Sequence, residues 1–200
     1  MNQSQEAPEQ LEIVRRFLNT WRIPNDTREE VDELHTIEDV LRFTKRHWDE
    51  EISFGTVDEL KQFRDELRFI VEEKGSLQQW LEKYPFRVCI TENMDAITYE
   101  PVGEKNFYTI LLHIILVAVE EGKWSRLKAC PDCRWVFYDH SRNGSKRWCG
   151  MYAGGKEGRA CGTIAKVKKY RAKKRGDMVN LEKKKALQYG AKLFSTCIFF

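Results

Sequence analysis

Apolar positions recur at helical spacing through most of the first two-thirds of the chain. Leu11, Val14, Leu18 and Trp21 fall on one helical face, and Pro24 is expected to end that helix. Before it, residues 1–8 read as a polar, frayed end, and after it residues 24–35 read as an acidic, irregular connection. Thr36, with Asp39 three positions on, predicts a capped helix whose face carries Ile37, Val40, Leu41, Thr44 and Trp48. Thr56 and Glu59 predict a second capping box, opening a helix that turns Leu60, Phe63, Leu67, Ile70 and Val71 inward and stops near Gly75. Ser76 and Gln79 suggest a third box for a short helix ending at Pro85. The period then changes to two. Phe86, Val88 and Ile90 alternate with Arg87, Cys89 and Thr91, a turn follows at Glu92–Asp95, and a return strand runs from Ala96 to Val102. Cys89 is expected to be a buried apolar residue. Asn106 caps a helix apolar on nearly all sides, up to Gly122, with His113 as a satisfied core histidine.

The fold class that follows is α+β and mainly helical. A helical N-terminal domain with one β-hairpin (1–122, hairpin near 86–102) precedes a small cysteine-rich finger with a basic helix (123–176) and a basic, apolar-ended tail (177–200). In the tail, Met178, Leu181 and Leu187 suggest one helical side, and the terminal LFSTCIFF suggests a docking segment. Cys197 formally fits a prenylation box but is not taken as one.

Charge divides the chain in the same place. Up to Gly122 there are 14 Lys and Arg against 26 Asp and Glu, a net −12; from Lys123 on there are 20 against 5, a net +15. An acidic body and a basic effector half are implied. The first ten residues have neither a basic n-region nor an apolar core, so no export signal is expected. The longest apolar run, Phe107 to Val119, is too short to span a bilayer. Clustered thiols then suit a reducing cytoplasm.

Four of the six cysteines lie between Leu127 and Arg175. Cys130 and Cys133 form a C-x2-C pair, whose two intervening residues let both sulfurs face one ion. Fifteen residues separate Cys133 from Cys149, and eleven separate Cys149 from Cys161. Two separated pairs of thiols suit a closed tetrahedral zinc site. A redox C-P-D-C would require a βαβ unit, which the pattern does not offer. A zinc deaminase would require a His or Cys two residues ahead of a Glu, upstream of P-C-x-x-C, and the chain has none. Disulfides would suit a secreted chain. His140 stands as an alternative fourth ligand should the long second gap displace Cys161. Trp135, Phe137 and their strand-like neighbours form an arm over the first knuckle, and Trp148 is expected to cover the site.

After the last cysteine, Lys166, Lys168, Lys169, Arg171, Lys173, Lys174 and Arg175 crowd a segment with no acid before Asp177. Ile164, Val167 and Tyr170 give it one narrow apolar face. So one-sided a helix repels itself unless a polyanion lies nearby.

The segment resembles the CGNR zinc-finger module of bacterial transcription regulators. The shared positions are Cys130, Cys133, Trp135, Phe137, Asp139, Ser141, Arg142, Asn143, Arg147, Trp148, Cys149, Met151, Cys161, Gly162, Ala165, Lys166 and Val167. Two departures stand out. Cys161, Gly162, Thr163 and Ile164 occupy the place of Cys-Gly-Asn-Arg, and a Gly-rich insertion surrounds Tyr152–Arg159. Upstream, RRFLNTW is similar to the start of the helical ABATE domain that precedes the module in stress-linked regulators. The resemblance implies a zinc cofactor and double-stranded DNA as partner. The acidic body is left for sensing a small-molecule effector or for homodimerisation.

The function expected is therefore a DNA-binding regulator and not an enzyme. Lys166 to Arg175 would meet phosphates, flanked by Arg142, Asn143, Lys146 and Arg147. An RNA-binding protein is the first rival, with Trp135, Tyr138 and Tyr152 as stacking platforms. A zinc-stapled protein-interaction module is the second.

Overall fold

The computed structural model describes residues 5–24, 27–73, 75–150, 160–175 and 178. The readings made for the insertion at Tyr152–Arg159, for the tail beyond Met178 and for Cys197 lie outside the described residues. The described residues up to Cys161 group as one compact unit and those from Gly162 on as a second.

In the first unit, α1 (Leu11–Leu18), α2 (Ile37–Lys45), α3 (Val57–Glu73), α4 (Gln78–Lys83) and α5 (Phe107–Glu120) alternate with three short antiparallel ladders. These are β1 (Trp21–Arg22) with β2 (Val31–Asp32), β3 (Phe86–Ile90) with β4 (Ile97–Pro101), and β5 (Leu127–Ala129) with β6 (Val136–Tyr138). A 3₁₀ turn, Trp124–Arg126, leads from α5 to β5. The architecture is α+β and mainly helical.

Two capping boxes form as expected. At α2, Thr36 Oγ1 accepts from Asp39 N–H while Asp39 accepts from Thr36 N–H. At α3, Thr56 and Glu59 do the same. At α4 the box does not form: Ser76 Oγ accepts from Gln78 N–H at 3.2 Å, and Leu77 holds the cap position. A box appears instead at α5, between Asn106 and Thr109.

Helix α5 is the hub. Its first two residues reach every other helix of the body. Phe107 meets Phe17 of α1 edge-on at 5.0 Å, Phe43 of α2 at 6.2 Å and Trp48 at 5.9 Å. Tyr108 meets Phe63 of α3 at 5.3 Å and stacks on Trp80 of α4 and Tyr84. Leu111, Leu112 and Ile115 complete its buried side. Offset and edge-on ring pairs add to area burial, which ties four helices to one turn of α5. His113 Nδ1 sits 2.9 Å from Tyr99 O, so the core histidine has its partner.

Five local expectations are corrected. Helix α1 stops at Leu18, not near Pro24, because Asn19 and Thr20 turn their side chains to other work: Thr20 Oγ1 donates to Phe17 O, and Asn19 reaches β6. Trp21 then enters a strand, so part of 24–35 is paired rather than irregular. In α2 Val40 and Thr44 are buried as expected, but Phe43 joins them and Ile37 is exposed. On the β3–β4 hairpin Val88 and Ile90 are exposed and Cys89, expected to be buried, is half-buried. Residues 5–8 are held, not frayed: Tyr138 N–H donates to Gln5 O at 3.0 Å, and Ala7 is buried.

Candidate metal centre

The β5–β6 hairpin presents the first two cysteines. Its register pairs Leu127 with Tyr138, Lys128 with Phe137 and Ala129 with Val136. Between the strands the chain makes a tight knuckle. Cys130 N–H donates to Trp135 O, Arg134 N–H donates to Cys130 O at 2.8 Å, and Arg134 takes a left-handed φ of 60°. That turn sets the sulfurs of Cys130 and Cys133 on one side.

Cys149 and Cys161 close the set. The ligand atoms of Cys130, Cys133, Cys149 and Cys161 all lie within 4.8 Å of one another. Sγ–Sγ is 3.3 Å for Cys133–Cys149 and 3.6 Å for Cys149–Cys161. A zinc–sulfur bond of about 2.3 Å in a tetrahedron puts sulfurs about 3.8 Å apart, so the cage is zinc-sized. All four are buried, with Phe137, Trp135 and Trp148 packed around them. In the bare thiol set, hydrogen bonds from Cys133 and Cys149 hold Cys130 as a thiolate far below its ordinary value. Donation to Cys130 pushes Cys133 up to about 12, and Cys149, which donates to both, goes higher still. Four buried thiols this close cannot all ionise unless a cation offsets their charge, and a coordinated thiol is deprotonated outright. The donor set and spacing fit zinc. His140 is exposed and its Nε2 lies 2.8 Å from Glu6 O, away from the cage.

Below the cage lies a second, polar centre that sequence reasoning missed. Asp139 is fully buried. Its carboxylate accepts from Ser141 N–H and Oγ, from Lys146 N–H at 2.8 Å and from Lys128 Nζ at 2.7 Å. Burial alone would raise its pKa, but these donors hold it well below the ordinary carboxylate range. Arg126 adds donations to the carbonyls of Asp139 and Ser141, and Gly144 supplies a φ of 58°. The loop 140–147 is thus fastened from inside. Arg142, Asn143 and Arg147 stay exposed on it, while Lys146 is half-buried with Nζ 5.6 Å from the Phe137 ring centre.

The hairpin is fastened to the helical body as well. Asn19 acts like a strand partner to Val136: its Nδ2 donates to Val136 O, and its Oδ1 accepts from Val136 N–H, both at 2.8 Å. Arg15 donates to the same carbonyl. Arg68 of α3 donates to Arg134 O at 2.7 Å, to Leu18 O and to Trp21 O, with the Trp21 ring 4.5 Å below it. Burial brings Arg68 down to about 10, and Glu72 nearby keeps it cationic. Arg64, one turn earlier, is buried on Asp32. The signal for both arginines was present: Leu60, Arg64, Leu67 and Val71 form one i, i+4, i+7, i+11 stripe, and Arg68 borders it.

Residues 161–175 are helical, those from Gly162 on belonging to the second unit. Lys166, Lys168, Lys169, Arg171, Lys173, Lys174 and Arg175 are all exposed along it. Ile164 and Val167 are half-buried, but Tyr170 is exposed, so the apolar face ends a turn early.

Residues 126–174 match the family model of the CGNR zinc finger. This segment is a CGNR zinc finger. The match spans the knuckle, the buried Asp139 loop, all four cysteines and most of the basic helix. No curated protein matches the chain. Among the described residues, no helix is long and apolar enough to cross a membrane.

Proposed function

We propose that this protein is a regulator that binds double-stranded DNA through its CGNR finger, with zinc as a structural ion. The observation that carries the reading is the helix begun by the ligand Cys161, with seven exposed Lys and Arg between 166 and 175. One fold element thus joins the metal cage to a cationic surface suited to phosphates. A cage of four thiolates leaves no coordination position for water, which supports a structural rather than a catalytic ion. Thr163 and Ile164 offer no bidentate contact to a base edge, so sequence choice falls to Arg142, Asn143 and Arg147 on the fastened loop. A reducing cytoplasm suits the four thiols. The acidic body would sense an effector or dimerise.

The RNA reading loses two of its platforms. Trp135 packs on the cage and under Arg15, and Tyr138 packs against the core and His140. The test is competition between duplex DNA and single-stranded RNA for the zinc-loaded protein, repeated across salt. Duplex preference with a log–log salt slope of about −4 to −5 is expected, at about −0.9 per phosphate neutralised. Preference for the single strand would favour RNA, and weak binding with little salt dependence would favour a protein-interaction module.

A further inference from the structure

A cavity of about 410 Å³ opens between α1, β1, α2 and the start of β6. Its lining runs against the charge of the body around it. Arg16, Arg22 and Arg46 line it, with Arg15 at its floor, in a half of the chain with a net −12. One carboxylate, Glu33, also lines the cavity, and it and the neighbouring Glu12 are already engaged. Glu12 accepts from both Arg15 and Arg16, and Glu33 pairs with Arg22. Arg46 is exposed and has no carboxylate partner among the described residues. Flat rings share the lining: Trp135, Phe43 and His47, the last two with centroids 4.8 Å apart. His47 stays neutral near pH 7, because burial and then the charges of Arg16 and Arg46 lower its pKa. The positive charge of the cavity is therefore permanent, being guanidinium.

We propose that this cavity is a binding site for a small planar organic anion, an aromatic ring bearing a carboxylate or phosphate. The volume falls in the range of small-ligand sites. A guanidinium fork matches either anionic group, and the half-buried His47 beside Phe43, with the part of Trp135 that lines the cavity, gives a ring aromatic surface to pack on. Inorganic anions would leave the aromatic walls unused, and neutral aromatics would leave Arg46 uncompensated. The site also touches the finger. Arg15, which lines it, donates to Val136 O and lies over Trp135, and Asn19, also in the lining, brackets Val136. A ligand seated there braces the clamp that holds the β5–β6 hairpin to α1. Occupancy of this site does not depend on the nucleic-acid reading, so the two stand or fall separately.

The test uses the full zinc-loaded chain and four probes: 2-naphthoate, 2-naphthyl phosphate, inorganic phosphate and neutral 2-naphthylmethanol, each by calorimetric titration. The two naphthyl anions are expected to bind with a dissociation constant on the order of 1 mM or tighter, as a ligand of that size allows. Each should raise the melting temperature with concentration. The other two probes should bind at least about tenfold more weakly. Arg46→Gln, an exposed change away from the core, should weaken naphthyl-anion binding about tenfold while the melting temperature of the free protein holds. Absence of binding by both naphthyl anions overturns the proposal, as does equal binding of 2-naphthylmethanol. Binding that survives both Arg46→Gln and Arg16→Gln overturns it too. If Arg46→Gln weakens duplex DNA binding and no naphthyl anion binds, the cavity belongs to the nucleic-acid surface instead.

Discussion

Asn19 shows how much one side chain can do in this fold. Its amide satisfies both backbone groups of Val136 in the buried seam between α1 and β6. Asn19→Ala leaves a buried N–H and weakens the satisfaction of a buried C=O, for about 2–4 kcal/mol at about 1–3 per orphaned group. Chemical denaturation should show that loss as a lower midpoint with an unchanged slope. Asp32 and Asp139 carry a pH signature. Burial opposes their charge, yet Arg64 holds Asp32 down and Lys128 holds Asp139 down, so both folded pKa values lie below the unfolded one. A depressed folded pKa gives stability that is full above the unfolded value, near 3.9, and is lost as pH falls toward the folded value. The contribution of these two aspartates should therefore be flat above about pH 5 and fall steadily below it. Asp139→Asn should be less stable at pH 7 and should show a shallower fall between about pH 5 and pH 3. An acid limb as steep as the parent's would mean Asp139 is not the group that titrates.

At the scale of elements, α5 is the piece on which the body depends. Phe107, Leu111, Leu112 and Ile115 are all at most 1% exposed. Leu112→Asp buries an unpaired charge and should cost several kcal/mol, enough to unfold a domain of ordinary marginal stability. A variant that melts like the parent would make α5 peripheral. This helix was legible because its pattern is apolar on nearly every side. The capping boxes at Thr36 and Thr56 were legible for a local reason: both partners lie within four residues. What was not legible depends on distant partners. Asn19 ends α1 because Val136, more than a hundred positions away, takes its side chain. Arg64 within an apolar stripe and Arg68 beside it were a visible signal, but its reason lies in distant partners, Asp32 and the carbonyls of Leu18, Trp21 and Arg134. Val88 and Ile90 alternate as a buried strand face would, yet alternation says nothing of whether an element lies over that face. The cysteine cage was read from spacing, although the eleven-residue gap before Cys161 gave little support. The Asp139 loop was visible only as shared positions, without the hydrogen bonds that account for them.

At the scale of the whole chain, charge separates an acidic from a basic half, yet the hairpin that carries the cage is fastened to the acidic one. Losing zinc should therefore cost more than the finger. When the knuckle opens, Arg68 and Asn19 lose acceptors on Arg134 and Val136, so chelation should lower the melting temperature of the body as well. Far-ultraviolet dichroism recorded through a chelator titration checks this. A body transition that does not move would show that the hairpin docks without stabilising α1 and α3. For the basic helix, changing Lys168 and Lys169 to Ala should weaken all duplexes alike and flatten the salt slope by up to about two units. The hydrogen-bonded knuckle and the start of the basic helix at Cys161 meet at one zinc site of four sulfurs. The most direct measurement is the metal content of protein purified without chelator, taken beside the Cys149→Ser variant. One zinc per chain in the parent and a marked loss in the variant is the result predicted. Parent protein that is folded and free of metal would contradict the account.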